Sequence, residues 1–290
     1  MTKIIGIIRL QIGVRCMKKI KISNIIKVII CVGILFLIIF PFAWLVMSTF
    51  KLNKDIVKWP PTFFPETYTL KNYFQVFERI EMANYIKNTV IFAGAVAIFS
   101  ALFDSMAGYA FARLDFRGKE IIFNIVILTM LIPFQIIMIP LFIETSIMGI
   151  INTYAGLIIP RMASAYGIFF MRSFFTGLPR ELEEAARIDG MGEIGIYSKI
   201  MLPLCKPALI TFFIFVLTSN WNDLLYPLMM TNSTDMRTLA AGLALFVGEG
   251  VRETGPALAG AFISMLPLLV LYCFAQKYFV AGIAVSGMKE

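Results

Sequence analysis

Apolar residues fall along this chain in long runs, separated by short stretches where charge and proline gather. Six runs read as bilayer-crossing helices, at about 25–47, 90–112, 121–143, 154–171, 207–230 and 257–279. A helix rises 1.5 Å per residue, so about 20 residues cover a hydrocarbon core of roughly 30 Å. The fourth run only just qualifies, because Pro160 and Arg161 interrupt it. Alternating strand patterns are absent, and lipid leaves only helices or closed barrels as spanning structures. The expectation is an all-α integral membrane protein. The segment 48–86 is too long for a simple connection. Trp59, Pro60, Pro61, Phe63, Phe64 and Pro65 suit a chain hugging the membrane interface. Leu70, Tyr73, Phe74 and Phe77 then recur at helical spacing, which predicts a short surface-packing amphipathic helix over 68–80.

Composition agrees with the pattern. The 290 residues are 59% hydrophobic with mean hydropathy +0.82, against roughly 45–50% apolar in soluble domains. The net charge of +8 and pI of about 9.3 would suit nucleic acid, but their distribution points to a membrane. Lys3, Arg9, Arg15, Lys18, Lys19, Lys21 and Lys27 run into the first span without an acidic residue among them. With the N-terminus inside, the inner segments hold 17 Lys and Arg and the outer ones seven. That bias predicts both termini in the cytoplasm, and the basic run suits anionic lipid headgroups.

Candidate chemistry is soon narrowed. Cys31 and Cys273 fall in spans, Cys16 and Cys205 on the inner side, and no disulfide framework follows. The absence of histidine removes His-based metal sites, triads and proton relays. Gly118-Lys119 is followed by Glu120 and lacks the upstream glycine of a phosphate loop, so any ATP hydrolysis is expected on another chain and no cofactor on this one. The first span is too long for a signal-peptide core and is expected to be retained. Met17 opens a Met-Lys-Lys-Ile-Lys start, so residues 1–16 read as an over-extended start or a dispensable tail.

The most specific pattern lies between the fourth and fifth spans. Glu184-Ala185-Ala186, three residues, Gly190, nine residues, Ile200, one residue and Leu202-Pro203 form a loop on the predicted inner side. Pro179 is placed to open a short helix, and Glu181, Glu183 and Glu184 crowd its first turns, where the macrodipole favours negative charge. Gly190 suits the left-handed residue that ends it. Tyr197, Ile200, Met201 and Leu204 resume helical spacing. Glu184 and Arg187, three residues apart, allow an intrahelical pair of only about 0.2–0.5 kcal/mol.

This loop resembles the signature loop of the permease subunits of ATP-binding-cassette (ABC) importers, with all seven fixed positions matched. Two further stretches are similar to the carbohydrate branch: Ala107-Gly-Tyr-Ala-Phe-Ala-Arg-Leu-Asp-Phe-Arg-Gly118, where Gly108 replaces the usual alanine, and the tail from Gln276 to Lys289. The resemblance covers roughly residues 20–290 and implies the six-span, maltose-type permease fold (type I) with cytoplasmic coupling helices. By that resemblance Glu184, Ala185, Ala186, Gly190, Ile200, Leu202 and Pro203 couple to the ATPase. The implied partners are a second permease in a heterodimer, two ATP-binding subunits and an extracytoplasmic sugar-binding protein. The segment 232–255 would reach into that last partner. The chain divides into a basic segment 1–24, the first span and external segment 25–84, a permease core 85–280 containing the loop 177–203, and a tail 281–290.

Charge inside spans is costly and should face a bundle interior or a watery path. Asp104 and Arg161 could pair across spans two and four, the alternative being that Arg161 snorkels toward an interface. Asn220-Trp221-Asn222-Asp223 is the densest polar–aromatic cluster in the membrane, and a sugar's C–H faces and hydroxyls suit such a mixture. The quartet also reads as glue between helices, worth about 0.6–2 kcal/mol. Alternatives to a sugar are glycerol phosphate or a polyamine. An ion-driven secondary transporter would usually show internal repeats, and none is evident.

Overall fold

The computed structural model describes the backbone of residues 22–248 and 254–286, with side chains from 26 to 248 and 254 to 276. Most of the basic N-terminal run, Cys16, residues 249–253 and the final tail lie outside the described residues. Every described element is helical. In chain order they are α1 (Ile22–Thr49), α2 (Lys71–Arg79), α3 (Met82–Arg113), α4 (Lys119–Thr129), α5 (Phe134–Ile147), α6 (Tyr154–Ile158), α7 (Ala165–Thr176), α8 (Glu181–Ile188), α9 (Glu193–Ile196), α10 (Lys206–Trp221), α11 (Leu225–Met230), α12 (Leu239–Gly248) and α13 (Thr254–Ser286).

Three helices, α1, α3 and α13, are long and apolar enough to cross a membrane unbroken, and bent pairs bring the number up to six. The third, fourth and fifth spans are broken, the fourth at the Pro160-Arg161 interruption read from the sequence. α4 and α5 meet at 99°, because Pro133 donates no N–H and keeps Ile132 out of helical backbone. The fourth span bends by 44° after a 3₁₀ turn over Ile159–Arg161, with Pro160 inside it. In the fifth, α10 stops at Trp221 and α11 starts again at Leu225, where Asp223 Oδ1 accepts the Tyr226 N–H at 3.3 Å. The second span also starts earlier than expected, at Met82.

α3 is the axis. It packs against α7 and α10 around Phe92, Tyr109, Phe175, Phe212 and Tyr226, all buried. A second cluster joins Val76, Met82, Tyr85, Trp221, Leu239 and Phe246. Residues 26–42 of α1, by contrast, are exposed on every side. On α2, Asn72 and Val76 are buried, while Leu70, Phe74 and Phe77 face outward. Asn72 Nδ2 donates to Thr49 O and Lys51 O at 2.8 Å, which fixes this side inward beside Val76. The connections sort to two ends. Asn88 reaches Asp235 O and Arg237 O, Asn152 accepts from Asn232 and Ser233, and Thr254 N–H reaches Asn53, all at the end opposite α8.

The crossing of α3 and α7 explains the departure at Gly108. A Cβ there would lie 2.7 Å from Met171 Cβ and 2.8 Å from Arg172 N, so only glycine lets the helices approach this closely. Gly167 makes the matching approach from α7, against Asp104 and Phe212. Gly94 sits on the same helix with nothing within 4 Å. Gly108→Ala should therefore destabilise the protein by about 1–3 kcal/mol, the usual cost of overpacking, while Gly94→Ala is tolerated. Thermal melting of the two variants in detergent checks this; equal melting temperatures would contradict it.

Candidate functional site

The predicted loop is built around two short helices. α8 begins at Glu181 with Arg180 as its N-cap, so Pro179 lies just outside the helix it was expected to open. Gly190 adopts φ +80°, as expected. Its N–H bonds Arg187 O at 3.0 Å and the next N–H, from Met191, bonds Ala186 O at 2.9 Å. Those two bonds are the 5→2 and 6→1 pair that closes a helix with a left-handed residue. Ala186 is buried beneath this turn and Met191 packs with it.

The acids of α8 divide by face. Glu183 is buried at 3% exposure, with Oε1 3.1 Å from Nε of the equally buried Arg113 at the end of α3. Arg113 also donates to Phe175 O and Leu178 O at 2.5 Å, so one guanidinium holds the end of α7, the connection and α8. Removing one member of such a pair costs about 3–5 kcal/mol, since a charge is left buried alone. Glu184 and Ala185 are exposed, and among the described residues Glu184 makes no ion pair. The expected Glu184–Arg187 pair is not formed, because Arg187 turns to Glu193 at 2.9 Å and to Glu183 at 3.8 Å. The Arg187 hydrogen bond holds the Glu193 carboxyl below its ordinary pKa. That ion pair is intact at neutral pH and weakens only as pH falls through the lowered value.

Beyond the turn, Tyr109 Oη donates to Glu193 at 3.0 Å and Ser105 bonds Tyr197 Oη at 2.7 Å, so α3 grips both halves of the loop. Residues Tyr197–Met201 form a π-turn, with the Leu202 N–H reaching back five residues to Tyr197 O. Ile200 and Leu202 pack half-buried against the core, and Pro203 is exposed before the chain bends by 81° into α10. The outer surface carries Ile188 and Ile194, 86% and 85% exposed on either side of the Gly190 turn. A cleft of about 450 Å³ beside them is lined by Arg113, Arg180, Glu183, Glu184, Arg187 and Glu193.

A second cavity, of about 590 Å³, opens where the three broken spans converge. Thr129 and Met130 reach it from the first break, Arg161 and Ser164 from the second, and Ser219 and Asn220 from the end of α10. The Asp104–Arg161 pair is not formed. Arg161 instead pairs with Asp223, its guanidinium lying 4.5 Å from the Tyr226 ring and 5.2 Å from that of Phe134. The chain bends by 44° after Arg161, and Asp104 meets Ser164 instead, accepting its N–H at 2.9 Å and its hydroxyl at 3.0 Å. The polar quartet is divided. Asn220 lines the cavity with its Oδ1 buried and unpartnered, and Asp223 acts through Arg161. Trp221 faces away, its indole N–H on Ser264 O at 3.2 Å, and Asn222 is exposed and bonded to Thr218 O in its own helix.

The expected outreaching segment is folded down over residues 232–248. α12 buries Leu239, Ala241 and Phe246 against the cluster around Tyr85 and Trp221, because its apolar side chains find cover there. Sequence reasoning missed Arg113 as the clamp and Thr129, Phe134 and Ser219 as cavity residues. Pro160 was a signal for the break beside the cavity, and no pattern in the sequence marks Arg113 or Ser219.

Comparison with known proteins agrees with this architecture. Residues 104–284 match the family model described as "Binding-protein-dependent transport system inner membrane component". The chain is 36% identical to the arabinooligosaccharides transport system permease protein AraQ of Halalkalibacterium halodurans, over 93% of this chain and 99% of that protein. It is 31% identical to the lactose transport system permease protein LacG of Rhizobium radiobacter, over 85% and 90% of the two chains. A chain of a bacterial ABC transporter involved in import of the acidic polysaccharide alginate has the same fold, with TM-score 0.78 and 22% identity over 90% of this chain and 98% of that one. With broken spans around a central cavity, a clamped charged loop and a matching family model over most of its length, this multi-pass membrane protein belongs to the binding-protein-dependent transport system inner membrane components, the permease subunits of ABC importers.

Proposed function

We propose that this chain is one permease of an ATP-driven sugar importer, pairing with a second, related permease around the central cavity. Two separate ATPase subunits grip the loop 177–203, and an extracytoplasmic protein delivers the sugar. The observation that carries the reading is the loop itself. It offers Glu184, Ala185, Ile188 and Ile194 on its outer face, and its inner face is fixed to α3 through Arg113, Tyr109 and Ser105. Apolar surface this exposed at a helix turn is a docking surface more than a folding feature. ATP closing the ATPase pair would shift α8 and α9 as one piece and move α3 and α7 beside the cavity. The oligosaccharide and disaccharide permeases among the relatives support sugar as the solute class.

The orientation belongs to the same proposal: α8 and both termini in the cytoplasm, on the Lys and Arg bias. Cys205 is buried and unsuited to labelling. Single cysteines at Ser198 and Thr234, both exposed, serve better in a background without the native ones. A membrane-impermeant thiol reagent on intact cells should label position 234 and spare 198. The reverse pattern would put the loop out of reach of any cytoplasmic ATPase.

Gly190→Val tests the coupling role. A β-branched residue at φ +80° is strained, so the turn should open and misplace Ile194 relative to Ile188. Nothing lies within 4 Å of this site, so insertion and packing should survive. With the ATPase and binding-protein subunits present, sugar uptake should fall by about 5- to 150-fold, the loss expected for strain of about 1–3 kcal/mol placed on the docked state. Membrane abundance should be unchanged. Normal uptake at normal abundance would remove the loop from the mechanism.

A further inference from the structure

We propose that the Arg161–Asp223 pair keeps the intramembrane cavity electrically neutral and so restricts it to uncharged saccharides, excluding acidic saccharides and sugar phosphates. The inference rests on the sugar-import reading above and narrows its substrate class. Among the described residues Arg161 is the one charged side chain that lines the cavity. Its charge is already paired: Nη2 meets Asp223 and the rings of Tyr226 and Phe134 lie within 4.5 and 5.2 Å, while its buried Nε has no hydrogen-bond partner. An incoming carboxylate or phosphate would have to sit beside the Asp223 carboxylate that already neutralises this arginine, or displace it and leave it without its partner, and either is costly away from water.

The remaining charge nearby offers an anion nothing. Asp104 is fully buried, and its two oxygens are taken by Ser164 N–H and hydroxyl at the N-terminus of α7, where the helix dipole offsets its charge. What the cavity does present is neutral. Ser100, Thr129, Ser219 and the unpartnered Asn220 Oδ1 can meet hydroxyls, and the Tyr166 and Phe215 rings can lie against C–H faces. The alginate-importing transporter of the same fold handles an acidic polysaccharide, so the fold alone does not decide charge. Specificity is a difference of affinities, and an arginine already neutralised by a neighbouring carboxylate works against the anion.

The test uses the whole transporter, with its partner permease, ATPases and binding protein, in proteoliposomes. ATP-driven uptake of a neutral oligosaccharide and of an oligouronate of equal length is measured for the parent, Asp223→Asn, Arg161→Gln and the double variant, with protein levels quantified. The parent should carry the neutral sugar and not the oligouronate. Each single variant should lose neutral-sugar uptake by about tenfold or more, because one charge is left uncompensated. The double variant should recover most of it. Should a single variant fail to insert, the double still reads out, since it buries no unpaired charge. A double variant as impaired as the singles at equal abundance would overturn the proposal, since Arg161 would then act on the solute directly. Oligouronate uptake by the parent would overturn it as well, while leaving sugar import standing. Uptake of neither sugar, with ATPase activity still stimulated by the loaded binding protein, would remove both readings.

Discussion

The structure depends on how a long membrane helix is tied to the loop beneath it, and Arg113 makes that tie. At the last residue of α3 its guanidinium meets Glu183 of α8 and the carbonyls of Phe175 and Leu178 after α7. Arginine suits this place because its planar guanidinium sets Nε beside the Glu183 carboxylate while Nη2 donates to two carbonyls, where an ammonium would act as a point charge. All these groups are withdrawn from water, so each needs the others. The loop is consequently an extension of α3 and α7 more than a linker between spans.

From that clamp a contiguous packed path leads to the cavity. Four to five residues above Arg113, Tyr109 and Gly108 set the contact with Glu193 and the close crossing with Met171. One turn further, Asp104 holds Ser164 at the break in the fourth span, and Gly167 closes against it. Arg161 stands just beyond that break and pairs with Asp223 at the break in the fifth. α3 and α7 thus join the loop to the cavity with a glycine at each close approach. Contiguity of this kind is a physical basis for coupling, and the coupling itself is a matter for measurement.

How far the sequence could be read follows from what each pattern encodes. Runs of about 20 apolar residues reveal spans because lipid imposes that length on them, and the Gly190 turn was legible because a left-handed residue strongly favours glycine. Of the breaks only the one at Pro160 was marked, since Pro133 lies in an otherwise unbroken apolar run and proline is tolerated in membrane helices. Without the breaks, the partner of Arg161 could not be found: the turn at 162–164 decides whether it meets Asp104 or Asp223. Periodicity on α2 gave an apolar face but not its direction, because in a membrane the apolar side turns outward and Asn72 turns in. Glu183 and Glu184 are adjacent acids in the sequence, and only the packing of α8 separates the clamped one from the exposed one.

The central claim is that the Arg113–Glu183 tie transmits motion between loop and cavity. The most direct measurement is the ratio of sugar imported to ATP hydrolysed in proteoliposomes, for the parent and for Arg113→Lys, which keeps the charge and loses the fork. At equal assembly of the ATPase subunits, the ratio should fall by about tenfold, as expected when roughly 1.4 kcal/mol of coupling is lost, with ATP hydrolysis retained. An unchanged ratio at equal assembly would contradict the account, because the loop would then drive transport without its hold on α3.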